Sequence, residues 1–237
     1  MIAPAYLPAS FVVWNAMTGA SHAGPFGMYR PYPSTRAWEY PWAWFAVPVK
    51  AGSRALDVGG ALCGFSLTLA RAGVDVLVVD PDTDGQSPAF LLDRHAATFG
   101  VTVRSFRGEV CDVPEAAGSY DIAYCLSVVE HIPTIEARAR LMQGVHRLLR
   151  PGGHFVLTVD LALHFHPFTE RRGPPELQNV SFAELLSHAP FELESGLPSD
   201  LIGMPGFDSA QILSRARKGE LLQDGNRLST QCVVLRA

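Results

Sequence analysis

Residues 54–72, RALDVGGALCGFSLTLARA, decide how the rest of the chain is read. A short apolar run ends in an acid, Asp57, followed by Gly59 and Gly60 and then by a helical apolar pattern. Paired glycines after a strand allow a sharp turn and let backbone lie against a ligand with no side chain in the way. The next apolar run, VLVVDPD at 76–82, also ends in an acid, Asp80, whose carboxylate is placed to accept from a pair of ribose hydroxyls. Two strand ends joined through one helix make half of a nucleotide-type crevice.

Outward from this stretch the chain alternates strands and helices, the pattern of a parallel sheet covered on both faces. The expected elements are strands at 54–58, 75–80, 101–106, 120–126 and 154–160, and helices at 65–72, 87–98 and 134–149. Arg150, Pro151, Gly152 and Gly153 stop the third helix, because proline cannot continue it and glycine accepts a left-handed turn. Beyond residue 160 a helix at 181–188, a strand at 191–194, a helix at 208–220 and a last strand at 227–235 are expected. The connections 161–180 and 195–226 are longer than a compact sheet needs, which marks them as substrate-side cover.

Residues 1–50 are expected to form a cap segment and 51–237 the ligand-binding domain, within a single domain overall. The cap holds all four tryptophans and seven prolines. Prolines 25, 31, 33 and 41 argue against a long helix there, although residues 10–17 suit a short one. Its rings need a surface to cover, either the crevice or the adjacent sheet edge.

Bulk composition narrows the function classes. A chain of 237 residues with 48% hydrophobic content supports one well-buried core. A net charge of −4 and a pI near 6.0 provide no basic field for nucleic acid or anionic lipid. The four cysteines form no CxxC pair, so neither a zinc site nor a redox dithiol is expected. The N-terminal apolar run lacks a basic flank and is broken by Pro4 and Pro8, and no stretch reaches the roughly 20 apolar residues of a membrane helix. A soluble, cytoplasmic protein without nucleic-acid or membrane partners follows as an expectation, with its oligomeric state open.

Four segments in order, ALDVGGALCGFSLTLA, VLVVDPD, RGEVCDVPEAAGSYDIAYCLSVVEHI and LLRPGGHFVLTV, resemble the class I S-adenosylmethionine-dependent methyltransferases over about residues 54–160. The resemblance implies a Rossmann-like, doubly wound, seven-stranded mostly parallel sheet with an antiparallel last strand, and S-adenosyl-L-methionine as cofactor. It implies that Asp57 holds the methionine ammonium, Asp80 the ribose hydroxyls and Asp112 the adenine amine. Gly59, Gly60, Ala61, Pro81, Val113 and Leu126 complete the cofactor site. These roles suit the chemistry, since carboxylates accept from each of the cofactor's donors. The family's alternating glycines are shifted here, with Ala61 and Cys63 where glycines are usual.

Methyl transfer is an in-line displacement that mainly requires positioning. His131, in the SVVEHI run, is the candidate base for a hydroxyl acceptor, with capping of the next helix as its structural alternative. Tyr29, Arg30 and His164 are candidate substrate contacts. His164 and His166, with Asp160 or Glu130, could hold a divalent ion, but a pocket wall is the plainer reading and no metal is assigned. The acceptor is expected to be a small metabolite, a sugar, polyketide or peptide derivative, methylated at oxygen or nitrogen. The alternatives are a non-catalytic binding or scaffold protein with this fold and a nicotinamide-dependent oxidoreductase, the latter opposed by the absence of GxGxxG.

Overall fold

In a computed structural model, residues 35–60, 64–81, 92–93, 96–97, 99–163, 172–173, 177–217 and 228–237 are described. The elements in chain order are α1 (Thr35–Ala46), β1 (Arg54–Val58), α2 (Phe65–Arg71), β2 (Asp75–Asp80), β3 (Arg104–Arg107), β4 (Tyr120–Leu126), α3 (Ile135–Leu148) and β5 (Leu149–Ala162). They continue with the short strands β6 (Arg172–Gly173) and β7 (Leu177–Gln178), then α4 (Phe182–Ser187), β8 (Glu192–Ser195), α5 (Ser209–Arg217) and β9 (Leu228–Arg236). Seven strands form one sheet in the order β3-β2-β1-β4-β5-β9-β8. β9 runs antiparallel to both β5 and β8, whereas the other pairings are parallel. This is the mixed, mostly parallel seven-stranded sheet with an antiparallel last strand that the family resemblance implies.

Side-chain alternation along the strands builds two cores. One face carries Leu56, Val58, Leu77, Val79, Ala123 and Leu157 against α3 and α4. The other carries Ala55, Val76, Val78, Ile122, Tyr124 and Val156 against α1 and α2. Burial on both faces is why β1 and β2 read as continuous apolar runs rather than alternating ones. α3 begins where Thr134 accepts a hydrogen bond from the Ala137 N–H at 3.1 Å, and it ends at Leu148, where Leu149 turns extended.

Beyond small shifts at element ends, three differences from the sequence reading stand out among the described residues. β3 begins at Arg104 because the Val101 N–H is spent on the Ala96 carbonyl, tying residues just before the strand to the helical turn that precedes them. β5 begins at Leu149, and Pro151, Gly152 and Gly153 lie inside it. They are accommodated by a register shift opposite Tyr120 and Ile122 and by bonds from the Gly152 N–H to the Ala237 carbonyl and from the Ala237 N–H to the Gly153 carbonyl.

The third difference lies in the cap segment, where prolines were expected to exclude a long helix. α1 spans 12 residues with Pro41 in its interior. An interior proline costs about 3 kcal/mol, and the helix persists because Glu39, Tyr40, Ala43 and Val47 are buried. Residues 10–17 lie outside the described residues. Among the described residues, no helix is long and apolar enough to cross a membrane.

Candidate active site

The glycine turn sits at the carboxyl end of β1, which lies between β2 and β4 in the sheet. Gly59 has φ +75°, and its N–H donates to the Val79 carbonyl at 2.7 Å, which ties the turn to β2. A Cβ at Gly59 would come 2.5 Å from a Val128 methyl, so both conformation and space demand glycine. At Gly60 a Cβ would collide with the Asp57 carboxylate, so this glycine is set by close approach. Gly64 has φ −75°, an ordinary helical conformation that any residue accepts. The doublet is therefore the steric centre of the turn. Ala61 and Cys63 lie outside the described residues.

Asp57 is 2% exposed and accepts a hydrogen bond from the Ser66 hydroxyl in the first turn of α2. Tyr124 is its register partner on β4. The Tyr124 hydroxyl is buried without a hydrogen-bond partner, and burial first, then the Asp57 charge, push its pKa well up. Asp80 ends β2, half-buried, with Pro81 exposed beyond it. Asp112 is exposed in a single 3-10 turn, Val110–Asp112, with Val113 buried at its end. That turn packs on α3 at Gly144, where a Cβ would lie 2.8 Å from the Cys111 nitrogen. Leu126 is the buried last residue of β4.

The residues nominated from sequence thus fall at the carboxyl ends of β1, β2 and β4 and in the loop after β3. His131 is exposed in the 3-10 turn Val129–His131 that follows β4. Tyr29, Arg30, His164 and His166 lie outside the described residues. Among the described residues, Glu109, Cys111 and Asp112 are close enough to share a cation, but Glu109 is already paired with Arg140 at 2.9 Å.

The structure adds a network that the sequence reading did not assemble. Ser127, just after β4, has φ +50°, the one non-glycine positive φ among the described residues. Its Oγ lies 2.6 Å from Glu39 Oε1 and 3.2 Å from Asp160 Oδ1. A hydroxyl has one proton, which Ser127 shares between the two carboxylate oxygens. Thr158 donates to Glu39, and Thr230 donates to Asp160 at 2.9 Å. The Asp160 N–H in turn donates to Glu130 Oε1 at 3.1 Å.

Glu130 has no exposed surface and its Oε2 has no hydrogen-bond partner. Burial first, then the charges of Asp160 and Glu39, raise its pKa well above the ordinary carboxylate value. Glu39 was missed because it lies in the proline-bearing segment. The available signal was a lone acid flanked by aromatic residues in AWEYPWAWFA.

With this geometry in place, comparison with known proteins is specific. The family described as a methyltransferase domain matches residues 42–197. The chain is 36% identical over 117 residues to a ubiquinone biosynthesis O-methyltransferase of Marinobacter nauticus, covering 46% of this chain and 45% of the relative. A protein of the same name from Acinetobacter baylyi is 34% identical over 116 residues, again covering 46% and 45%. The matched region spans under half the length of these relatives.

Among solved structures, an S-adenosylmethionine dependent methyltransferase from Mesorhizobium loti superposes with TM-score 0.56 at 20% identity, covering 84% of this chain and 97% of that one. The [4+2]-cyclase SpnF superposes with TM-score 0.58 at 17% identity, covering 95% and 91%. Likeness at these identities is likeness of fold, and these two proteins are named for different chemistry.

Proposed function

Because the chain belongs to the class I S-adenosylmethionine-dependent methyltransferase family, we propose that it transfers a methyl group from that cofactor to an oxygen of a small-molecule acceptor. The observation that carries this reading is the placement of Asp57 and Asp80 at the ends of adjacent strands around the Gly59–Gly60 turn. Oxygen is favoured over nitrogen by the names of the relatives.

The residues present fit the cofactor. Its donors are an ammonium, a ribose diol and an exocyclic amine, and Asp57, Asp80 and Asp112 offer acceptors at the ends of β1 and β2 and after β3. The absence of a Cβ at Gly60 lets the turn lie directly against the Asp57 carboxylate. In this proposal Asp57 holds the ammonium, Asp80 the diol and Asp112 the amine, with Gly59, Gly60, Ala61, Pro81, Val113 and Leu126 as walls. The cofactor supplies a methyl group activated by its sulfonium.

The chain's own contribution is orientation and exclusion of water. His131, exposed just beyond β4, is the proposed acceptor of the hydroxyl proton, and Tyr29, Arg30 and His164 the proposed substrate contacts. Calorimetry with S-adenosylhomocysteine tests the cofactor assignment directly. Micromolar binding is expected, with a loss of at least roughly tenfold in Asp80→Ala, about the value of one charge-assisted hydrogen bond. Absence of binding at millimolar concentration overturns the reading. His131→Gln should lower kcat and flatten the acid limb of the pH profile while cofactor affinity stays constant, and an unchanged turnover removes His131 from the mechanism.

A further inference from the structure

Ser127 stands where β4 gives way to the turn that carries His131, and its φ of +50° is the left-handed backbone found at no other non-glycine residue among those described. That conformation is strained for a residue with a Cβ, and it persists only where neighbouring groups hold it.

The segment after Ser127 takes its direction from this angle. Val128 comes next, and its side chain fills the space in front of Gly59, where an added Cβ would meet the two Val128 methyls at 2.5 and 2.9 Å. The Val128 carbonyl then accepts from the His131 N–H at 3.0 Å, which closes the 3-10 turn. One backbone angle therefore sets both the packing of the β4 exit against the glycine turn and the path toward His131.

The groups that hold the angle come from two elements. The Ser127 N–H donates to the carbonyl and to the hydroxyl of Thr158 on β5, at 3.1 and 3.0 Å. The Ser127 hydroxyl lies 2.6 Å from Glu39 Oε1, and the same carboxylate oxygen accepts from the Thr158 hydroxyl. Glu39 thus ties the strained residue and its backbone partner to α1, 88 positions earlier in the chain. It is fully buried, and burying a carboxylate is costly. An apolar residue would dock α1 on this sheet face at lower cost, so packing alone does not account for an acid here.

We propose that Glu39 is a positioning residue for the methyl-donor site: it holds Ser127 in its left-handed conformation and so keeps Val128 seated against the Gly59 turn. The inference rests on the methyl-donor reading of that turn, and it makes α1 part of the framework of the cofactor site.

Calorimetry with S-adenosylhomocysteine on four variants tests the proposal. Glu39→Leu keeps bulk and removes the acceptor, and should weaken binding roughly tenfold. Ser127→Ala loses the hydroxyl and keeps the strain, and should weaken binding to a similar degree. Ser127→Gly loses the same hydroxyl but accepts positive φ freely, so its loss should be about threefold smaller than that of Ser127→Ala. Introduced into Glu39→Leu, Ser127→Gly should recover binding by a similar factor, which a merely structural role for Glu39 would not produce. Parent-like binding by Glu39→Leu, equal losses for the two Ser127 variants, or no recovery in the double variant overturns the inference. If Glu39→Leu does not fold, the two Ser127 variants decide.

Hydrogen exchange of the ligand-free proteins separates this result from the cofactor assignment. Glu39→Leu and Ser127→Ala should speed exchange about tenfold in residues 57–60 and 127–131 and leave α3 unchanged. Acceleration spread evenly into α3 marks a global loss of stability and contradicts the proposal. A parent protein that binds no S-adenosylhomocysteine removes the methyl-donor reading, while the exchange pattern still decides whether Glu39 holds the turn.

Discussion

At the scale of single residues, buried carboxyl groups carry most of the consequences. Glu39 accepts from Ser127 and Thr158 with no exposed surface of its own. Glu39→Ala takes the acceptor from the buried Thr158 hydroxyl, leaves the Ser127 hydroxyl with Asp160 alone and opens a void, and a loss of about 2–4 kcal/mol is expected in denaturant unfolding.

Glu130 gives a pH signature. Its folded pKa lies well above the ordinary 4.5, so the folded protein keeps a proton that the unfolded chain releases. The stability tied to that proton is complete below 4.5 and is lost as the pH rises from there through the folded pKa, by up to about 1.4 kcal/mol per unit. Glu130→Gln removes the titration. Its stability relative to the parent should therefore increase as the pH is raised above about 5, as measured by urea unfolding at several pH values up to 8. A constant difference between the two proteins across that range contradicts the assignment.

At the scale of elements, α1 and α3 show how context overrides or exploits local preference. α1 keeps an interior proline because Tyr40 and Ala43 sit on the sheet face that also holds Phe65 and Tyr124, whose rings meet edge to face at 4.9 Å. α3 has a glycine in its interior for the opposite reason. Gly144 costs helix propensity of about 1 kcal/mol relative to alanine, yet a methyl group there would meet Cys111 backbone at 2.8 Å.

A helix-stabilising substitution should thus destabilise the fold. Gly144→Ala is expected to lower the thermal midpoint and to weaken S-adenosylhomocysteine binding several-fold, because the turn it displaces carries Asp112 and Val113. A raised midpoint with unchanged binding would show that the turn gives way freely. At the helix start, Thr134→Ala removes a cap worth about 1 kcal/mol and leaves the site untouched, which makes it the matched control.

At the scale of the molecule, β9 closes the structure. It lies between β5 and β8, with Val233, Val234 and Leu235 at 2% exposure or less and both sheet faces represented among them. Deleting residues 228–237 would strip two ladders at once and expose β5 along nine paired positions. The truncated chain is expected to lose its near-ultraviolet circular dichroism while keeping much of its far-ultraviolet signal, the behaviour of a collapsed state without specific packing. Retention of cooperative thermal unfolding would contradict a closing role for β9.

Local sequence was enough to determine β1, β2 and β4 to the residue, because strands buried on both faces must be short, apolar and bounded by turn residues. It also placed Asp57 and Asp80 at the ends of β1 and β2 and Asp112 beyond β3, since a parallel alternation puts every strand end on one side. Family membership followed from those same segments. What the sequence could not contain was any relation between residues far apart in the chain. Glu39 meets Thr158 across 119 positions, and Gln231 meets Asp200 across 31. Such contacts depend on which sheet face each strand residue takes and on where α1 docks, and no local propensity encodes either. The same holds for the glycines: the sequence shows that Gly59 and Gly60 follow the acid, but only packing against Val128 and Asp57 decides that no other residue fits.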